Sequence, residues 1–303
     1  MYFQFCICHS HPEPLLSTML FPSVRSVGLL VLGALISVIP IISDAHDVSV
    51  PLDPLGPLKI ALDYGLATTW PRPQDIHLTK AKRNWQFSSH IVFASRVGDS
   101  DEENPPVSDG QLWQIARDAV DEMIRDREQY GILAGAQPTA MGILAWGNEI
   151  ILASSMKGAG SFSYDFLGGD TTVGRSLQKC QIVWRDISLP GKDPTNIHKN
   201  RGNCVEPLAA HLYYKNNGKN LKDQKARIGT WVVQQGKWQQ TDPCGTDSKV
   251  DYWGCNLFTQ DQGLKVLDIT TPLAPYTLAN LAGGPTRQEQ IQLCGGQPRV
   301  FVG

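Results

Sequence analysis

The chain has 303 residues, with 27 Lys and Arg against 29 Asp and Glu and a formal net charge of -2. That balance excludes a strongly basic nucleic-acid coat and an acidic solvating tail. Hydrophobic residues at 42% exclude a disordered tail and a multi-span membrane protein, and the seven cysteines are too few for a disulfide scaffold but enough for a metal site or a few bridges.

The first feature in chain order is an address. Residues 26–43 carry no charge, are rich in Leu, Val and Ile, and follow Arg25. Counted from Met19, they form a basic n-region, an apolar h-region and a cleavage site after Ala45. The run is shorter than the roughly 20 apolar residues of a spanning helix. Residues 1–45 are therefore expected to be a signal peptide with an upstream extension, and the mature chain is expected to be secreted to the extracellular space from His46 onward, with no stable membrane association. The metal-like cluster Cys6, Cys8, His9 and His11 would leave with the signal. Cys180, Cys204, Cys244, Cys255 and Cys294 would remain, and in an oxidising compartment five cysteines read as two disulfides and one thiol.

Residues 46–107 read as an irregular segment, punctuated by prolines from Pro51 to Pro106, with one short strand at 90–97 and a charged linker at 99–106. Leu112, Ile115, Ala116, Ala119, Val120 and Met123 repeat at helical spacing and predict a helix over about 110–130, capped by Ser108 or Asp109 and closed at Gly131. Residues 140–145 and 149–154 flank Gly147-Asn148 and predict a β-hairpin. Both strands are nearly continuous in apolar residues, so the sheet should be covered on both faces. Residues 155–200 are rich in Gly, Ser and Asp and read as an insertion with a short strand at 181–187. A helix at 204–215, a strand at 226–234, a loop at 241–252, a short helix at 255–262 and a strand at 264–269 follow. This order predicts an α/β fold, with helices packed on a mixed sheet.

Several catalytic signatures are absent from the sequence: a phosphate-binding loop ending in Lys-Ser/Thr, G-x-S-x-G and H-E-x-x-H. One constellation remains, Gly202-Asn203-Cys204-Val205-Glu206-Pro207 followed by Pro243-Cys244 and Cys255. Cys204 and Glu206 fall at a predicted helix start, where the helix N-terminus favours a thiolate, the form that binds metal. Three thiolates on one zinc ion leave a fourth position for water, whose pKa the ion lowers towards about 7. A carboxylate beside the ion but not bound to it can then move protons. Asn203-x-x-Glu206 also fits a helix capping box.

This stretch resembles the zinc-dependent cytidine deaminase superfamily, which carries Cys- or His-x-Glu on one helix and Pro-Cys-x-x-Cys on the next. Its wording is similar to that of secreted, toxin-type deaminase domains. The resemblance implies a three-layer fold, a mixed sheet with helices on both faces, over residues 108–285, with 286–303 as a C-terminal tail. It implies Zn2+ on Cys204, Cys244 and Cys255, Glu206 as general acid/base, and hydrolytic deamination of a cytosine- or adenine-type base in a nucleoside, nucleotide or single-stranded nucleic acid. Asn203 and Trp253 are the candidate substrate contacts. Cys180 and Cys294, left over by the zinc set, would form one disulfide. The pattern departs from the family where Cys244 and Cys255 lie eleven positions apart instead of three. On one helix that spans about 16 Å, too far for one ion, so residues 245–254 must loop out. Lys199, Arg201, Lys215, Lys219, Lys222, Lys225 and Arg227 offer a basic face for phosphate. The competing reading is a non-catalytic secreted binding or effector protein that uses the same cysteines in disulfides.

Overall fold

The structure is a computed structural model that describes residues 47–70, 83–158, 160–166, 170–187, 198–246 and 252–303. The expected signal peptide and the cluster at Cys6–His11 lie outside the described residues. In chain order the elements are β1 (Ala61–Leu62), α1 (Tyr64–Thr69), β2 (Phe87–Phe93), α2 (Asp109–Gln129), β3 (Ala140–Trp146), β4 (Glu149–Ser154), α3 (Thr172–Ile187), α4 (Val205–Asn216), β5 (Arg227–Gln234), β6 (Lys237–Thr241), α5 (Cys255–Asp261), β7 (Lys265–Val266), β8 (Pro285–Gln290) and β9 (Arg299–Val302).

The strands form one open sheet in the order β6-β5-β3-β4-β2-β8-β9, with β1 beside β2 and β7 beside β5. Every strand pair is antiparallel except β5–β7, which is parallel. The expected hairpin forms with Trp146 opposite Glu149 across Gly147-Asn148. Its strands are buried on both faces because successive side chains point to opposite sides. Met141, Ile143, Ala145, Ile150 and Leu152 join a core with α2, through Leu112, Ile115, Ala116, Ala119 and Met123. Leu144, Trp146, Ile151 and Ala153 join a second core with α3, α4 and α5, through Leu177, Leu208, Leu212 and Phe258. Helix α2 starts at a capping box in which the Ser108 hydroxyl accepts from the Gln111 N–H and the Gln111 side chain accepts from the Ser108 N–H. The chain is thus a mixed α/β protein, with an open, mostly antiparallel sheet and helices packed on it.

Two segments expected to flank the domain instead complete its sheet. Residues 46–107 supply β1, α1 and β2, and β2 lies between β4 and β8. The short strand expected at 90–97 overlaps β2, but β2 begins at Phe87 and ends at Phe93; its first half carried no apolar signal because Ser88, Ser89 and His90 are polar, although all three are buried. The last residues supply β8, whose sequence Pro-Thr-Arg-Gln-Glu-Gln is equally polar, and β9. The expected strand at 181–187 is the second half of helix α3, where Val173, Leu177 and Cys180 face the core at i, i+4 and i+7 while Ile182, Val183 and Ile187 are exposed. Strand β6 falls between the strand expected at 226–234 and the loop expected at 241–252. It is an edge strand of polar residues, Lys-Trp-Gln-Gln-Thr, paired with β5.

The approach of α4 to the sheet depends on Gly142 in β3. A Cβ there would stand 2.3 Å from Val205 Cγ1 and 2.7 Å from the Gly229 carbonyl oxygen. The bare backbone lets the first turn of α4 rest directly on β3 and β5. Strands β6 and β7 share β5 end to end, β7 pairing as far as Ile228 and β6 from Thr230 onward. The start of α4 therefore lies over the point where the sheet's edge changes partner.

Candidate metal centre

Four side chains converge at that point. The ligand atoms of His198, Cys204, Cys244 and Cys255 all lie within 4.8 Å of one another, so the group could hold a metal ion. Cys204 is the N-cap of α4 and Cys255 the first residue of α5, which brings two helix N-termini together on the thiols. Cys244 follows β6 after Pro243. Cys255 and His198 are buried, whereas Cys204 and Cys244 are half-buried, so the cluster opens towards solvent on their side.

The long spacing between Cys244 and Cys255 is bridged at a neck. The Asn256 N–H donates to the Cys244 carbonyl at 3.1 Å, and the Cys255 N–H donates to Cys244 Sγ at 3.3 Å. Gly254 lies against Cys244 so closely that a Cβ there would be 2.3 Å from its carbonyl oxygen and 2.6 Å from its Sγ. The chain leaves at Gly245 and returns at Gly254, so two cysteines that one helix would hold about 16 Å apart become neighbours.

The spacing of the ligand atoms suits one tetrahedral ion. Two thiolates at about 2.3 Å from zinc lie about 3.8 Å apart, and Cys204 Sγ and Cys244 Sγ are 3.7 Å apart. A disulfide requires about 2.05 Å, and Cys204, Cys244 and Cys255 are free thiols. Hydrogen bonding among the sulfurs distributes their protons. The bond to Cys244 raises the Cys204 thiol well above the ordinary thiol range, and burial does the same for Cys255. Hydrogen bonds from Cys204 and Cys255 stabilise the Cys244 thiolate and lower its pKa.

Glu206 sits in the first turn of α4 and is 4% exposed. The Cys204 side chain makes no cap hydrogen bond, and Asn203 is tied elsewhere, so the capping box is not built. The Thr230 hydroxyl donates to Glu206 Oε1 at 3.4 Å. Burial, followed by the Cys244 thiolate, raises the Glu206 carboxyl to about 6, within reach of neutral-pH proton transfer.

The remaining expected residues take other positions. Asn203 binds neighbouring backbone, accepting from the Phe162 N–H at 3.1 Å and donating to the Gly160 carbonyl at 2.8 Å, so both ends of its amide are occupied. Trp253 is 1% exposed and offers no face for stacking a base. It lies edge-on to the His198 ring at 5.0 Å and donates to Gln181 Oε1 at 3.0 Å. Cys180 is a free thiol, so the expected bridge to Cys294 is not formed. Both residues pack in the second core, but Cys180 is in α3 whereas the Cys294 carbonyl lies against Gly65 in α1. Burial pushes the Cys180 thiol up to about 12. The basic face is not continuous either. Arg227 is buried on Asp109 at 2.7 Å, Lys225 pairs with Asp101 at 2.5 Å, and Lys215 donates to the Gln292 and Leu293 carbonyls. Lys199 and Arg201 remain exposed on the turn between His198 and Cys204, with Lys199 Nζ 4.6 Å from the centre of the Tyr252 ring.

His198 was missed by the sequence reading. Its only signal was a lone histidine ahead of Gly202-Asn203-Cys204. No protein-family model, curated protein or solved structure matches this chain. Among the described residues, no helix is long and apolar enough to cross a membrane.

Proposed function

We propose that the chain is a zinc-dependent hydrolytic deaminase of a cytosine- or adenine-type base, carried on a cytidine-deaminase-like fold and acting outside the cell as an effector or toxin. One observation carries the reading. The buried Glu206 carboxyl lies in the first turn of the helix that Cys204 caps, beside three converging thiols and outside the set of potential ligands. The element order supports it too. The hairpin β3–β4, helix α4 capped by Cys204, strand β5 antiparallel to β3, helix α5 starting at Cys255 and strand β7 parallel to β5 follow in chain order, with α3 and β6 interposed.

Cys204, Cys244 and Cys255 would hold the ion, and soft thiolate donors favour zinc among the common divalent metals. Bound there, it would supply Lewis-acid polarisation of water near neutral pH. The chain's own contribution is proton management. Glu206, held by Thr230 at Oε1, would take one proton from the attacking water and give it to the ring nitrogen, then take a second from the new hydroxyl on the ring carbon and give it to the departing amine, which leaves as ammonia. Substrate would enter past Cys204 and Cys244, and Lys199 and Arg201, exposed on the adjoining turn, would meet its phosphate.

The test is metal content and ammonia release by the full chain, with bases, nucleosides, nucleotides and single-stranded oligonucleotides as substrates. The expected result is one zinc per chain, and turnover that Glu206→Gln reduces at least 100-fold with zinc retained. Turnover that survives Glu206→Gln refutes the assigned proton route. A zinc-loaded chain inactive on every substrate class supports a structural metal site instead.

A further inference from the structure

We infer that His198 is not a fourth metal ligand but the hydrogen-bond donor to the Cys255 sulfur, a positioning residue that leaves the fourth coordination position open to solvent. The inference rests on the metal-binding part of the proposed function and not on the reaction.

The hydrogen bonds to the ring decide where its proton lies. The Asn200 N–H donates to His198 Nδ1 at 3.1 Å and the Gly202 N–H donates to the same atom at 3.2 Å. Two backbone donors aimed at Nδ1 leave no room for a proton on it, so the neutral ring carries its proton on Nε2. Nε2 faces the sulfurs, 3.2 Å from Cys255 Sγ and 3.9 Å from Cys244 Sγ. A protonated Nε2 has no lone pair for a metal and is instead an N–H donor to sulfur. Binding through Nε2 would require a ring deprotonated at both nitrogens, or the loss of both backbone bonds.

The other two sulfurs are served in the same way. Asn200 Nδ2 donates to Cys204 Sγ at 3.1 Å, and the Cys255 N–H donates to Cys244 Sγ at 3.3 Å. With Nε2 of His198 on Cys255, each thiolate has one N–H donor. Three thiolates on a divalent ion leave one net negative charge. N–H donors disperse that charge and fix the sulfur orientations without occupying a ligand position. His198 is well fixed for this role, since it is 1% exposed and packs against the buried Trp253 ring. The exposed side of the cluster, at Cys204 and Cys244, is then where a water or an added ligand reaches the ion.

Long-range proton–nitrogen NMR of the zinc-loaded full chain, with labelled histidine, tests this directly. The His198 signals are assigned by their disappearance in His198→Gln. The expected pattern has Nε2 protonated and Nδ1 bare. A protonated Nδ1 with a metal-shifted Nε2 overturns the inference. Cobalt(II) supplies a second measurement. Azide should shift the visible bands of the cobalt-loaded wild type, and bands unmoved by azide overturn the inference. His198→Gln, which keeps an N–H donor, should bind cobalt with the same thiolate charge-transfer intensity. His198→Ala should bind about 10–100-fold more weakly than wild type, and equal weakening by Gln and Ala overturns the donor role. Absence of metal from the wild type refutes the metal centre itself, and the tautomer of the metal-free ring still tests the hydrogen bond.

Discussion

Closing the neck at Gly254 should cost the metal site in proportion to how tightly the two backbones approach there. In Gly254→Ala the new Cβ would lie 2.3 Å from the Cys244 carbonyl oxygen and 2.6 Å from Cys244 Sγ, whereas real Cβ contacts hold about 3.0 Å or more. One side of the neck must therefore move by about 0.7 Å, the difference between the limit and 2.3 Å. Ligand distances in a metal site tolerate about 0.2 Å, so Cys244 and Cys255 cannot both keep their places around one ion. The expected loss of zinc affinity is at least 100-fold, or about 2.8 kcal/mol, because one of three thiolates is displaced. Competition against a chromophoric chelator measures this, and circular dichroism of the same samples shows that the fold persists. Gly254→Ala binding zinc as tightly as wild type would refute both the neck and the assignment of Cys244 and Cys255 to a common ion.

Three further outcomes follow from the fold around the site. Gly142→Val should destabilise the chain by about 1–3 kcal/mol by overpacking, and should lower zinc affinity as α4 lifts from the sheet; a urea midpoint equal to wild type contradicts this. Arg227→Met leaves the Val97 and Val107 carbonyls and Asp109 without the guanidinium that bonds them at 2.9, 2.9 and 2.7 Å; a cost of about 3–5 kcal/mol in urea unfolding is expected, as for other broken buried pairs. Asp126 is buried and accepts the Leu62 N–H at 2.8 Å, and burial raises its carboxyl from 3.8 to about 7. The folded state then holds the proton more tightly than the unfolded chain, so this group's stabilisation is complete below about pH 4 and is lost as pH rises through about 7, at about 1.4 kcal/mol per pH unit. Asp126→Asn should therefore gain stability relative to wild type between pH 5 and 7, and a difference that is flat or falls with pH rules this out.

Most of the site was legible because its chemistry sits in short motifs. Cys204 and Glu206 share one helix start, and Pro243-Cys244 and Cys255 mark the second edge, so the residue types alone pointed to thiolates beside a carboxylate. What the spacing left open was how Cys244 meets Cys255, and the answer lies in Gly254, whose missing side chain makes no pattern. His198 was illegible for a related reason. A single histidine has no periodicity, and its role depends on the Asn200 and Gly202 N–H groups of the following turn. Trp253 drew attention as an aromatic beside the motif, yet its ring is consumed in holding His198, as buried tryptophans usually are in packing.

The same physical limit governed the fold. Helix α2 and the β3–β4 hairpin announce themselves locally, through a cap, a turn pair and apolar periodicity. The first half of strand β2 does not, because its polar residues are satisfied by partners far away in sequence. His90 Nε2 bonds Glu149 at 2.7 Å in β4 and Nδ1 bonds Glu289 at 2.9 Å in β8. Burial pulls the His90 imidazole down, but the two carboxylates outweigh it and hold the ring above its ordinary value. Glu122 and Asp126 of α2 likewise accept the N–H groups of Leu58, Ile60 and Leu62, in place of a neighbouring strand. These charges stabilise nothing until the distant segments meet, since each alone is a buried group without a partner. The N- and C-terminal segments therefore fold onto the hairpin through these polar contacts as well as through buried apolar side chains such as Leu62, Phe87 and Ile291, while the hairpin and its helices gather the thiols. The metal centre draws on residues 198–255 alone, and the segments on either side supply the rigid sheet on which α4 and its carboxylate rest.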